Sequence, residues 1–179
     1  MEVSLSEFVD GLDVREPVEA GAVAVYPLFN RGEKGPPYTL LVDALSRDAV
    51  SVEEKGDGSV PVLVFINKSE TLVLVTLGDE LVGGKQNRIV NASLLVPPRS
   101  VVDLPVSCVE QRRWRSVSRK FSMGEKAFFK LRRGLNEQVT DSLRTSGGRM
   151  SDQGRIWDDV DDELVFTAAA SQTRAMQDA

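Results

Sequence analysis

Asp79, Glu80, Lys85, Gln86, Asn87 and Arg88 lie close together in the chain, and a second polar stretch brings Cys108, Glu110, Arg113 and Trp114. The carboxylates accept hydrogen bonds while the lysine, arginines and amides mostly donate, so the two stretches together could clamp an anionic, hydroxyl-rich ligand. A carboxylate held in a dry pocket has its pKa raised and can serve as general acid or base, and two of them could bind a divalent cation. Neighbouring strand residues point to opposite faces, so Asp79 and Glu80 cannot act on one atom, and Glu110 brought beside either makes the better pair. In this reading Glu80 or Glu110 carries the chemistry. Lys85, Arg88 and Arg113 hold phosphate, Gln86 and Asn87 orient the ligand, and Trp114 stacks on a base or ribose face. The structural alternative is that Glu110 merely satisfies Arg88 or Arg113 in an ion pair, which also perturbs carboxylates. Cys108 has Arg112 and Arg113 nearby to favour the thiolate, but it ends an apolar run and no His is present to activate it. An inert core position fits it better.

Two segments carry a resemblance: Gly78-Asp79-Glu80-Leu81-Val82-Gly83-Gly84-Lys85-Gln86-Asn87-Arg88, and Val106-Ser107-Cys108-Val109-Glu110-Gln111-Arg112-Arg113-Trp114. They are similar to the signature segments of a bacterial and phage family named for its association with ADP-ribosylglycohydrolase, rhodanese and phosphatase-superfamily proteins. The similarity starts near Tyr38 and Leu45, passes through Glu54 and Gly58-Ser59-Val60, and runs to about Gln153 and Trp157. One departure is Arg112, where family members usually carry Gly. The resemblance implies a ligand such as ADP-ribose, an NAD-derived compound or another phosphorylated nucleotide. Since the family name records associations and no reaction, it leaves open whether the domain is an enzyme.

These residues need elements to position them. Leu72 to Leu77, Ile89 to Val96 and Val101 to Val109 are β-branched runs bounded by Gly, Pro or polar residues, which predicts three strands around the polar stretches. Gly83-Gly84 can take positive φ or admit another group closely. Upstream, Ala22 to Tyr26, Ala49 to Glu53 and Val60 to Ile66 read as strands, Asn30 to Pro37 as a loop, and Thr39 as the cap of a short helix with Leu40, Leu41, Ala44 and Leu45. Downstream the spacing becomes helical over Glu125 to Arg133 and Leu135 to Arg144, with Gly134 weakening the junction and Leu135, Val139 and Leu143 on one face. Ser151 is positioned to cap a last helix whose Ile156, Trp157, Val160 and Leu164 line one side. After Ala168 the tail has little apolar surface and is expected to fray.

The expected fold is mainly β within the α+β class, an antiparallel β-sandwich or jelly-roll-like core, or a partly closed barrel, with a helical C-terminal extension. Residues 1–115 would form the core and 116–179 the extension, packed on the core or on another subunit. With 179 residues, 41% of them apolar, the chain can build one core domain. The formal charge of −5 argues against general nucleic-acid affinity. Residues 112–133 are strongly basic and interleaved with aromatics, so nucleic-acid binding there stays as an alternative. Their cations can equally meet the acidic last helix, which accounts for both charge blocks. One Cys excludes an intramolecular disulfide, the absence of His excludes His-based triads and metal sites, and no metal ligand is assigned. The sequence does not identify a cofactor. The opening lacks a signal-peptide pattern and no apolar run is long enough to span a bilayer, so a cytoplasmic protein with no membrane partner is expected. Two functions compete: binding or processing of a nucleotide-derived small molecule, and a non-catalytic module that assembles a homo-oligomer.

Overall fold

A computed structural model describes residues 4–30 and 35–179; the first three residues and the middle of the loop expected over 30–37 lie outside the described residues. The chain forms two compact units, Met1–Pro36 and Pro37–Ala179. In the first, α1 (Leu5–Asp10) starts at Ser4, whose hydroxyl accepts from the Glu7 amide while the Glu7 carboxylate accepts from the Ser4 amide. Then β1 (Leu12–Val14) pairs antiparallel with β4 (Leu28–Asn30), and β2 (Val18–Ala20) with β3 (Val23–Val25). None of these strands contains a buried residue.

The second unit contains β5 (Tyr38–Leu40), α2 (Leu41–Ser46), β6 (Val50–Glu54), β7 (Val62–Asn67), β8 (Leu72–Val75), β9 (Asp79–Val82) and β10 (Arg88–Val90). After these come β11 (Leu94–Val96), β12 (Ser100–Cys108), β13 (Ser122–Lys126), α3 (Phe129–Ser146) and α4 (Gln153–Phe166). Six strands make an antiparallel sheet in the order β13-β9-β10-β12-β7-β6. It curls until its ends meet. The Phe121 amide donates to the Val52 carbonyl at 2.9 Å, and Lys120 bridges Glu53, so the segment entering β13 reaches the opposite edge strand, β6. The long strand β12 makes the curl possible by serving two neighbours: Ser100–Pro105 pair with β7, and Val106–Cys108 with β10. Pro105, which has no amide to donate, falls where the pairing changes hands. A smaller sheet, β11-β8-β5, includes a parallel pair, β5 with β8.

Alternation along the strands divides the apolar residues between two cores. Leu63, Phe65, Leu81, Val90, Leu104 and Val106 face the inside of the half-barrel and meet Val73, Val75 and Val96 of the small sheet and Leu41 and Ala44 of α2. Ile89 and Val109 point the other way, onto Leu131, Leu135 and Val139 of α3 and Ile156, Val160 and Leu164 of α4. Lys130 of α3 joins Asp159 and Asp162 of α4 at 3.1 and 2.8 Å, so part of the basic segment does meet the acidic helix.

The mainly β fold with C-terminal helices agrees with the sequence, but several elements differ in detail. The run from Ile89 to Val96 is two strands: the Asn91 amide still donates to the Pro105 carbonyl, but Pro105 has no amide to return the bond, and the buried Asn91 side chain bonds to Ser107 and to the Arg149 carbonyl. Residues 122–126, placed by the sequence in the helical extension with helical spacing from Glu125, form β13; pairing with β9 overrides their weak strand propensity. Thus the large sheet extends beyond residue 115. The helix α3 continues through Gly134, where the Asp159 carboxylate of α4 would lie 3.3 Å from a Cβ. Its buried stripe is Leu131, Leu135 and Val139, leaving Leu143 exposed. Thr39 lies in β5, and α2 has no side-chain cap. Asp152, not Ser151, caps α4 by accepting from the Gly154 and Arg155 amides. The tail is docked: the Arg112 amide donates to the Thr173 carbonyl, the Met176 amide to the Val109 carbonyl, and Met176 is buried.

Candidate functional site

The chain between β9 and β10 turns on Gly83 and Gly84, both at positive φ, +139° and +52°. Neither position has room for a side chain. A Cβ on Gly84 would collide with Phe121 and the Glu54 carboxylate, and one on Gly83 with Ser118. This close turn brings residues 85–88 against the end of β12, and the two polar stretches meet there.

Their meeting point is a clamp centred on Arg113. Its Nε donates to both Glu110 carboxylate oxygens at 2.8 Å, Nη1 donates to the Gly84 and Arg115 carbonyls, and Nη2 to the Gly83 carbonyl and Asn87 Oδ1. Glu110 Oε2 also accepts from the Asn87 amide at 3.1 Å, while Gln86 Nε2 donates to the Glu110 carbonyl at 2.7 Å. Asn87 Nδ2 reaches Gln177 of the docked tail. Burial alone would raise the Glu110 pKa, but the bonds from Arg113 and the Asn87 amide outweigh it and hold the carboxylate below its ordinary range. Every hydrogen-bonding direction of the Arg113 guanidinium is used within the fold. Arg112, at the usual Gly position, is not among the residues with positive φ, so the turn accepts its side chain without backbone strain.

Arg88 has a different setting. It is in phase with Val90, so it enters the half-barrel interior and is fully buried, level with Leu81 and Cys108 on the flanking strands. Nη1 donates to Cys108 Sγ at 3.0 Å and to Gln86 Oε1 at 3.3 Å, whereas Nε and Nη2 have no hydrogen-bond partner. The facing carboxylate is Glu54, with Oε2 3.8 Å from Nη2, beyond hydrogen-bond range. Glu54 Oε1 accepts from the Lys85 amide at 2.9 Å; Oε2 is buried without a partner. Burial pushes the Cys108 thiol up, against the partial opposition of Arg88, so the protonated form is favoured.

Above this pair opens a depression of about 590 Å³, lined in part by Glu53, Glu54, Asp57, Lys85, Ser118 and Arg119. The Lys85 ammonium donates to the Asp57 carbonyl and lies 5.4 Å from the Trp114 ring centre; Arg88 approaches the same ring at 5.9 Å. Trp114 is 53% exposed. The anticipated residues therefore divide into three groups. Lys85 lines the depression and Trp114 stands beside it; Gln86, Asn87, Glu110 and Arg113 form the clamp; Arg88 is buried behind Glu54.

Asp79 lies elsewhere, whereas Glu80 adjoins the clamp, close enough to feel the Asn87 side chain and the Glu110 charge. Asp79 accepts from the Thr76 amide and hydroxyl and pairs with Lys126, closing the turn before β9. Glu80 is fully buried beside β13, where Gly124 leaves it space: a Cβ there would collide with the carboxylate. Oε2 accepts from the Glu125 amide at 3.3 Å and Oε1 has no partner, and burial raises its pKa to about 7. Neither Glu80 nor Glu110 lines the depression. Among the described residues no group of acids, Cys or His is arranged to hold a metal ion, and no helix is long and apolar enough to cross a membrane.

Residues 11–179 match the family model for the ARPP-1 domain, the ARG and Rhodanese-Phosphatase-superfamily-associated Protein domain. The chain belongs to that family. Its match to the ARPP-1 domain extends beyond the signature segments at both ends, taking in the chain from β1 onward and the docked tail. No curated protein and no solved structure matches the chain.

Sequence reasoning assigned no role to Glu54 or Ser118, and took in Arg119 only as one cation of the basic segment 112–133. For Glu54 a signal existed: Val50, Val52 and Glu54 share one face of β6, and the first two are core residues. An acid in phase with a core stripe needs a partner, and Arg88, in phase with Val90, is the matching cation.

Proposed function

We propose that this ARPP-1 domain binds an ADP-ribose or NAD-derived compound, or another phosphorylated nucleotide, in the depression at the end of the half-barrel. The observation that carries this reading is the combination of two cations, Lys85 and Arg119, in the lining with the half-exposed Trp114 beside Lys85. Phosphate would meet the two cations, and a base or sugar face would stack on the indole. The volume falls in the usual range for small-molecule sites, about 300–1,000 Å³. Arg113 and Glu110 would hold the turn that carries Lys85, and Gln86 and Asn87 would act with them, outside direct ligand contact. No reaction is assigned. A melting-temperature panel with ADP-ribose, NAD, AMP and Mg²⁺ tests the reading, since a ligand that binds only the folded state raises the melting temperature. Stabilisation that is lost in Lys85→Ala and Trp114→Ala is expected; no response to any of the nucleotides would refute it.

A second reading, a module that assembles as a homo-oligomer, draws on the N-terminal unit. Leu5, Phe8, Val14, Val18, Val23 and Phe29 are all about half exposed or more, a density that commonly marks an interaction surface. Light scattering that reports a stable oligomer, together with an unresponsive ligand panel, would favour it.

A further inference from the structure

Arg88 and Glu54 make an incomplete pair, and the atoms they leave over define what would complete it. Nε and Nη2 of Arg88 are two unpartnered donors on one guanidinium, and Glu54 Oε2 is an unpartnered acceptor 3.8 Å from Nη2. An anion placed here would face the Glu54 carboxylate, and a cation would face the guanidinium. A neutral oxygen that both accepts and donates satisfies both sides. Such an oxygen about 2.8 Å from Nη2 and from Oε2 would see them at roughly 85°, close enough to a hydroxyl's preferred angle to make both bonds.

We propose that the Arg88–Glu54 pair is a hydroxyl-reading subsite that takes a sugar hydroxyl of the ligand bound in the depression. This inference rests on the nucleotide-binding reading and deepens it. Glu54 lines the depression, so the subsite is its floor. Lys85 borders this floor: its amide donates to Glu54, and its stem lines the depression and crosses Gly58, where a Cβ would come within 3.1 to 3.3 Å of the lysine side chain. A shift of that flexible stem carries the ammonium toward phosphate. Arg88 is thereby assigned to the sugar, and phosphate is left to the cations of the rim.

Matched ligands test the assignment on the intact protein. AMP is compared by calorimetry with 2′-deoxy-AMP and 3′-deoxy-AMP, and nicotinamide mononucleotide with its nicotinic acid counterpart. Removal of one hydroxyl should weaken binding about 10- to 100-fold, because it leaves buried donors and an acceptor unpaired. Exchange of the carboxamide for a carboxylate should change little. In Glu54→Gln the amide oxygen can still accept from the Lys85 amide, but Oε2 becomes a donor, so discrimination between ribo and deoxy ligands should fall below about threefold. Should that variant fail to fold, the wild-type comparison still decides. Equal binding of all three adenosine ligands would overturn the subsite, reducing the pair to the seat of a structural water, while leaving nucleotide binding intact. Sensitivity to the carboxamide exchange without sensitivity to either hydroxyl would overturn it in favour of carboxamide recognition. Failure of every nucleotide to bind would overturn both readings.

Discussion

Two arginine–glutamate pairs contact the turn at residues 83–85, and they are built to opposite standards. In Arg113–Glu110 the charged atoms approach to 2.6 Å, and backbone carbonyls and Asn87 take up the remaining donors. In Arg88–Glu54 the arginine is more deeply buried, the separation is 3.8 Å, and polar atoms on both sides lack partners. Burying charge is unfavourable unless partners replace water. The first pair meets that condition within the fold and has a structural role; the second meets it only in part, which is the condition of a site that receives a further group.

The largest expected effect comes from breaking the complete pair. Arg113→Ala strands a buried carboxylate and frees the carbonyls of the Gly83-Gly84 turn, so it should cost about 3–5 kcal/mol in urea unfolding. Replacing both Arg113 and Glu110 by apolar residues should remain costly, because the guanidinium also holds the turn. The incomplete pair should behave differently. Arg88→Met with Glu54→Leu removes both charges and few satisfied bonds, and a well-packed apolar replacement of a buried pair is often neutral, so a loss of no more than about 2 kcal/mol is expected. Equal losses in the two double mutants would abolish the distinction drawn between the pairs.

What the sequence made legible follows the same division. Gly83-Gly84 and the two polar stretches were readable as a convergent unit because glycine has a conformational reason to be there and the flanking runs have strand character. The clamp's internal completeness was not readable, since a list of donors and acceptors does not reveal that Arg113 spends its donors on backbone carbonyls. Glu54 was hidden by its distance in sequence from Arg88, although its phase with Val50 and Val52 pointed inward. The order of the tail was hidden for a related reason: it is fixed by backbone bonds from the Arg112 amide to the Thr173 carbonyl and from the Met176 amide to the Val109 carbonyl, with Met176 as its main apolar anchor. Local composition carries apolar burial well and long-range backbone bonding poorly.

Glu80 extends the comparison to a buried carboxylate with no arginine at all. Its folded pKa, about 7, lies above the ordinary value of 4.5. For a raised folded pKa, the contribution to stability is present below the unfolded value and is lost as pH rises through the folded one. The protein should therefore lose stability between about pH 4.5 and 7 through this group. Glu80→Gln, which keeps the size and removes the charge, should be more stable than the parent at pH 8 by roughly 1–3 kcal/mol and nearly equal to it at pH 5. Parallel stability curves for the two proteins across this range would contradict an ionising, dry Glu80.

The smallest effect belongs to a third arginine–glutamate pair, Arg99 with Glu70, which joins the turns on either side of β8 and β11. The pair has close geometry, and the bond from Arg99 holds the Glu70 pKa below its ordinary value, yet the two side chains are 74% and 68% exposed. Water and salt screen such a pair, and holding two long side chains in one arrangement opposes the attraction. Arg99 also has positive φ, 47°, so changing it would mix backbone effects with charge; Glu70→Gln is the cleaner substitution. That variant should unfold at the same urea concentration as the parent at both low and high salt. A salt-dependent loss approaching that of Arg113→Ala would mean that close geometry, and not burial with complete hydrogen bonding, sets the importance of an ion pair in this fold.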